Sequence, residues 1–98
     1  MRFVLELTDS ALEDLKWFRK YEQPLILDRI DVQLSYEPTT ETRNRQPLEP
    51  NELAEWELRI GTYRVFYDVD ATQRTVKIKA VGHKDHNTLF IRGEEITL

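Results

Sequence analysis

Between Glu55 and His83 the chain alternates so strictly that few folds can accommodate it. Trp56, Leu58 and Ile60 interleave with Glu55, Glu57 and Arg59, the period-two pattern of a strand buried on one face. Gly61-Thr62 follows, and glycine at the first central position suits a two-residue type II′ hairpin loop. That loop sets the register. Ile60 pairs with Tyr63, Leu58 with Val65 and Trp56 with Tyr67 on the buried side, while Arg59 meets Arg64, Glu57 meets Phe66 and Glu55 meets Asp68 on the other. A third strand from Thr75 through Gly82-His83 keeps its apolar set together when Val76, Ile78 and Ala80 join Val69, Tyr67 and Val65. This choice places Lys77 against Asp68 and Lys79 against Phe66.

The second face is then a polar grid of Glu55, Glu57, Arg59, Arg64, Asp68, Lys77 and Lys79 around Phe66. Arg59 directly opposite Arg64 is repulsive, and cross-strand pairs carry about 0.2–1 kcal/mol. An anion between them turns that cost into binding energy. Arginine clamps phosphate through its planar fork, Lys77 and Lys79 add charge, and Phe66 offers a surface for base stacking. His83 and His86 carry the chain's two imidazoles, the side-chain type suited to proton transfer near neutral pH. The plainer reading of the same residues is an ordinary solvated sheet face with a surface ion pair between Asp68 and Lys77.

Ninety-eight residues suffice for one domain, 1–98, with a single hydrophobic layer. The chain has no cysteine and two histidines, which leaves no disulfide, thiol catalyst or structural zinc site, and implies metal-free chemistry without cofactor. No apolar run approaches membrane-spanning length and no basic-then-apolar start is present, so the reading is cytoplasmic with no membrane partner. A net charge of −4 argues against holding nucleic acid by bulk charge, though it allows a local cationic patch.

Phe3, Leu5 and Leu7 form a short first strand ending at Thr8. Ser10 with Glu13 is a capping-box pattern, and Ala11, Leu15 and Phe18 share a stripe of a helix running to about Tyr21. Pro24 suits the first turn of a second helix with Leu27, Ile30 and Leu34 buried, ended by Pro38. Glu37 to Glu52 holds three of four prolines and reads as a long surface loop carrying Arg43 and Arg45. Beyond His86, Leu89-Phe90-Ile91 and Ile96-Thr97-Leu98 suit a short final strand or hairpin. The expected architecture is α+β, with a two-helix hairpin on one face of a mainly antiparallel four-stranded sheet in the order β-α-α-β-β-β.

No glycine-rich phosphate loop, Gly-x-Ser-x-Gly or His-Glu-x-x-His occurs. The run Leu58-Arg-Ile-Gly-Thr-Tyr-Arg-Val-Phe-Tyr67, the later Val81-Gly-His83 and the Arg45-Gln-Pro-Leu48 approach resemble the RelE/ParE toxins of bacterial type II toxin-antitoxin systems, over nearly the whole chain. The resemblance implies a cognate antitoxin as partner, in a homodimer or a toxin-antitoxin hetero-oligomer. It also implies either a metal-independent endoribonuclease acting on mRNA at the ribosome or a ParE-like inhibitor of DNA gyrase, with an inactive antitoxin-binding relative as a further alternative. Carried over by position, Arg64 matches the hairpin arginine that stabilises phosphate in nuclease members. Lys84 or His83 falls at a second basic position, Phe90 at an aromatic one, and His86 where one branch has a proton-transferring histidine. The nuclease reading makes Arg64 the cation with help from Arg59, His86 or Glu57 the base, and His83 or Lys84 the acid. Phe66, Lys77, Lys79, Phe90, Arg43 and Arg45 would hold the substrate. Glu55 and Glu57 depart from the family pattern, since RelE itself has two lysines on this strand.

Overall fold

The computed structural model describes residues 1–98. Its elements are β1 (Val4–Leu7), α1 (Asp9–Trp17), α2 (Glu22–Leu34), β2 (Arg45–Pro47), β3 (Trp56–Ile60), β4 (Tyr63–Asp70), β5 (Thr75–Asp85), β6 (Thr88–Ile91) and β7 (Glu94–Ile96). The class is the expected α+β, with more strands than the expected four. β2 to β7 lie side by side in chain order, and β1 pairs in parallel with the first part of β5.

The β3–β4 hairpin has the register read from its loop: Trp56 faces Tyr67, Leu58 faces Val65, Arg59 faces Arg64 and Ile60 faces Tyr63. Gly61 takes φ +58° at the loop, a conformation cheap for glycine. The β4–β5 ladder follows the expected register from Asp70 to Tyr67 and then departs from it. Tyr67 faces Ile78 but Phe66 faces Ala80, so Lys79 is an extra residue opposite no partner. A bulge of this kind moves every later side chain to the other face. Val81, not Ala80, therefore joins Leu58, Val65, Tyr67, Val76 and Ile78 in the core beneath the helices. Ala80 lies on the far side with Phe66, Ala54 and Leu89.

Two apolar layers sandwich the sheet. The larger is completed by Ala11, Leu15 and Phe18 around α1 and by Ile26, Ile30 and Leu34 of α2. Ile26, and not the expected Leu27, is the first buried position of α2, because the stripe runs at strict four-residue intervals and leaves Leu27 40% exposed. The first helix is capped by Thr8, whose hydroxyl accepts from the Ala11 amide at 3.1 Å, and not by Ser10. It stops at Trp17, short of Tyr21.

The proline-rich stretch is tied down where a free loop was expected. Tyr67 donates its hydroxyl to the Pro38 carbonyl at 2.7 Å. The Arg45 guanidinium donates to the carbonyls of Thr40 at 2.9 Å and Gln33 at 2.8 Å, and Arg45 is 9% exposed. β2 then adds an edge strand to β3. Toward the opposite edge, β6 runs so close to Gly82 that a Cβ there would collide with the Phe90 carbonyl oxygen and lie 2.9 Å from Ile91 Cγ1.

Gly82→Ala is expected to destabilise the fold by about 1–3 kcal/mol, the usual cost of overpacking against backbone. Urea denaturation checks it: a lowered midpoint together with loss of amide protection in β6 is the expected result.

Candidate functional site

The bulge decides which polar residues meet. Above it Tyr63 pairs with His83 and Arg64 with Gly82, so His83 shares the helix-covered face with Tyr63. Lys84, one position on, shares the other face with Arg64. That face carries Glu57 and Arg59 from β3, Arg64 from β4 and Lys84 from β5 beside a shallow cleft of about 450 Å³, also lined by Asn87, Thr88 and Glu95. Glu57, Arg59 and Lys84 line the cleft itself.

The anion expected between the two arginines is present as a side chain. Glu57 is 5% exposed. Its Oε2 accepts from Arg59 Nε at 3.0 Å and its Oε1 lies 3.9 Å from Arg64 Nε. Arg64 is anchored further, because its Nη1 donates to the carbonyls of Gly61 at 2.8 Å and Tyr63 at 2.9 Å. Burial pulls the Arg64 guanidinium below its ordinary range, Glu57 opposes that and Arg59 adds to it. The Arg64 Nε proton has no hydrogen-bond acceptor. The arginine pair is thus bridged by one carboxylate, which offsets one of its two charges, and is not an open cationic fork.

The other expected site residues are dispersed. His83 stacks between Trp17, at 5.6 Å between ring centres, and Phe90, at 5.5 Å. Its Nδ1 is buried without a partner. His86 sits at the β5–β6 turn with φ +51°, its side chain 96% exposed and 2.7 Å from Asp85. Phe66 is fully buried in the second apolar layer, which corrects its expected role as a stacking surface. Phe90 likewise stacks on His83, away from the arginines. Lys79 is ion-paired with Asp68 at 3.6 Å, and Lys77 stands at the far end of the sheet beside Glu6 and Asp70. Arg43 is exposed on the proline-rich stretch. Arg45 is withdrawn from any substrate role by its carbonyl partners.

On the helix side, a cleft of about 660 Å³ is lined by Trp17, Phe18, Arg19, Glu22, Thr62, Tyr63 and His83. Tyr63 donates to Glu22 at 2.9 Å, and burial first, then the carboxylate, raises the phenol above its usual range. No three potential metal ligands gather anywhere in the chain.

One structural residue escaped the sequence reading. Asp14 is 1% exposed, accepts from the Val81 amide at 3.1 Å and lies 2.8 Å from Arg92 Nε, joining α1 to the β6–β7 turn. Its signal was its position: with Ala11, Leu15 and Phe18 it completes the helical apolar stripe, where a carboxylate needs a partner.

The family model described as the ParE toxin of type II toxin-antitoxin system, parDE, matches residues 5–88. The toxin-antitoxin complex RelBE2 of Mycobacterium tuberculosis contains a chain 27% identical, with TM-score 0.72, over 86% of this chain and 100% of that one. The archaeal RelE-RelB complex of Pyrococcus horikoshii OT3 gives 23% identity and TM-score 0.68 over 88% and 99%. The intact E. coli RelBE complex gives 16% and 0.52 over 86% and 99%. No curated protein matches the chain significantly.

Burial raises the Asp14 carboxyl, an effect that the Val81 amide and Arg92 oppose. A raised folded-state pKa means that the fold holds this proton more tightly than the unfolded chain. Stability therefore falls as pH rises from the ordinary carboxylate range through the raised value. Asp14→Asn removes that titration, so the stability advantage of wild type over the variant should shrink across this window and then level off. Urea unfolding at a series of pH values checks the slope.

Proposed function

The chain belongs to the ParE toxin family of type II toxin-antitoxin systems, and on that footing we propose that it acts by binding a protein target, as gyrase inhibitors of this family do, and not by cutting RNA. The observation that carries this reading is the separation of the proton-transfer groups from the arginines. Cleavage by a 2′-hydroxyl needs a base, a cation and an acid at one phosphate. His83 lies across the sheet from Arg64, and His86 projects into solvent. Glu57, the carboxylate nearest Arg64, is engaged by Arg59. A binding toxin requires none of these groups to meet.

The endoribonuclease reading keeps one observation in its favour: Arg59, Arg64 and Lys84 all flank Glu57 on a single face. It would use Glu57 as base, Arg64 as cation and Lys84 as acid, after displacement of Glu57 from its partners.

An antitoxin is the partner proposed in either case, by likeness to the RelBE2 complex. The outer side of α2 and the residues flanking its two ends support this. Leu25 and Val32 lie on one helical face, Tyr21 stands at the N-cap and Tyr36 just past the C-terminal end, and all four are more than half exposed. An apolar surface of this kind suits a segment that folds on docking.

Two measurements test the proposal. Inducing the protein in bacteria while assaying translation-dependent mRNA cleavage and gyrase supercoiling should show lost supercoiling and intact mRNA. Cut mRNA with normal supercoiling would overturn the binding reading. With the cognate antitoxin, hydrogen exchange should slow along α1, α2 or β3–β4, whereas slowing confined to residues 37–52 counts against docking at these faces.

A further inference from the structure

The cluster of Glu57, Arg59 and Arg64 has the composition of a phosphate site with its anion already supplied by the chain. Two guanidinium groups from adjacent strands converge on one carboxylate that is 5% exposed, with Arg59 Nε at 3.0 Å and Arg64 Nε at 3.9 Å. The Arg59 side chain is 47% exposed, so its reach into the cleft is limited by its partner and not by burial. Lys84 lines the same cleft, and Glu95 adds a second negative charge to its wall. Arg64 has its Nη1 committed to two carbonyls but retains an Nε proton with no acceptor. A buried donor in that state favours a nearby anion, and the only carboxylate positioned for it is Glu57.

We propose that Glu57 is a specificity-determining residue: it acts as an internal substitute for phosphate, hydrogen-bonding Arg59 and offsetting the charge of Arg64 so that this face does not hold single-stranded RNA or other phosphodiesters. Any incoming phosphate must displace a carboxylate that is covalently part of the site and therefore present at high effective concentration. It must also leave that carboxylate buried without a partner, which is costly. Removing the charge opens the site. The proposal concerns the same face as the functional reading above but does not depend on the toxin's target, since a failed supercoiling assay leaves the RNA comparison intact.

The test compares wild type, Glu57→Gln, Glu55→Gln and Glu57→Gln/Arg59→Ala for binding of a labelled single-stranded RNA of mixed sequence, by fluorescence anisotropy across a salt series. Glutamine retains an acceptor for Arg59, and Glu55→Gln changes the net charge equally at an exposed position just before the same strand. Glu57→Gln should bind about tenfold tighter than wild type, with a salt slope steeper by about one phosphate contact. Glu55→Gln should not gain affinity, and the double variant should lose the gain. Equal gains in Glu57→Gln and Glu55→Gln would reduce the effect to bulk charge and overturn the proposal, as would a double variant that keeps the gain. Should Glu57→Gln not fold, the arginine Nε–H signals of the wild-type protein decide the matter. Titration with inorganic phosphate should leave those of Arg59 and Arg64 unmoved, and selective shifts there would refute the inference.

Discussion

Lys79, the extra residue of β5, is where the two faces of the sheet exchange their side chains. Below it, Tyr67, Val69, Val76 and Ile78 point toward the helices in one unbroken alternation. Above it, Val81 takes the place that Ala80 would have filled, and His83 turns toward Trp17 and Phe18. A ladder without the bulge would have put His83 on the face of Arg64. One inserted residue thus separates an imidazole from a guanidinium, and whether this sheet can assemble a proton-transfer site depends on it.

The bulge is stabilised by what it brings together. It allows Ala80, a small residue, to sit against Phe66 in the second apolar layer, while the bulkier Val81 fills the space under α1. The Val81 amide is also the group that Asp14 binds, so the altered register supplies the donor that a buried carboxylate requires. Asp14 in turn holds Arg92 and with it the β6–β7 hairpin. Register, helix docking and the last hairpin are coupled through one amide and one carboxylate. Desolvation makes each of them costly to leave unpaired.

Electrostatics on the other face follow a similar logic. Arg59 and Arg64 are forced opposite each other by a hairpin whose register is set by its loop and its apolar pairs. Repulsion of that kind is tolerated only with a counter-charge, and Glu57 provides it from two residues away on the same strand. A buried carboxylate held by two guanidinium groups avoids the penalty of an isolated charge. The same contact withdraws the arginines from external anions.

Much of the fold could be read from the chain itself. The β3–β4 pairing, the helix after the first strand, the stripe of Ala11, Leu15 and Phe18 and the opposition of Arg59 and Arg64 all follow from patterns within a few residues of one another. Local sterics and the two-residue period of a strand determine such features without reference to distant segments. The remainder was decided by contacts between parts far apart in sequence. The bulge at Lys79 depends on β5 fitting β4, α1 and β6 at once. Arg45 is buried because Gln33 and Thr40 present carbonyls to it, and Phe66 because Leu89 and Ala54 cover it. That a cationic pair stands on one sheet face was legible in the chain alone, because alternation and loop length are local. That Glu57 bridges the pair and that neither histidine reaches it came from the packed fold, because burial and register in a sheet are set by all the neighbouring elements together.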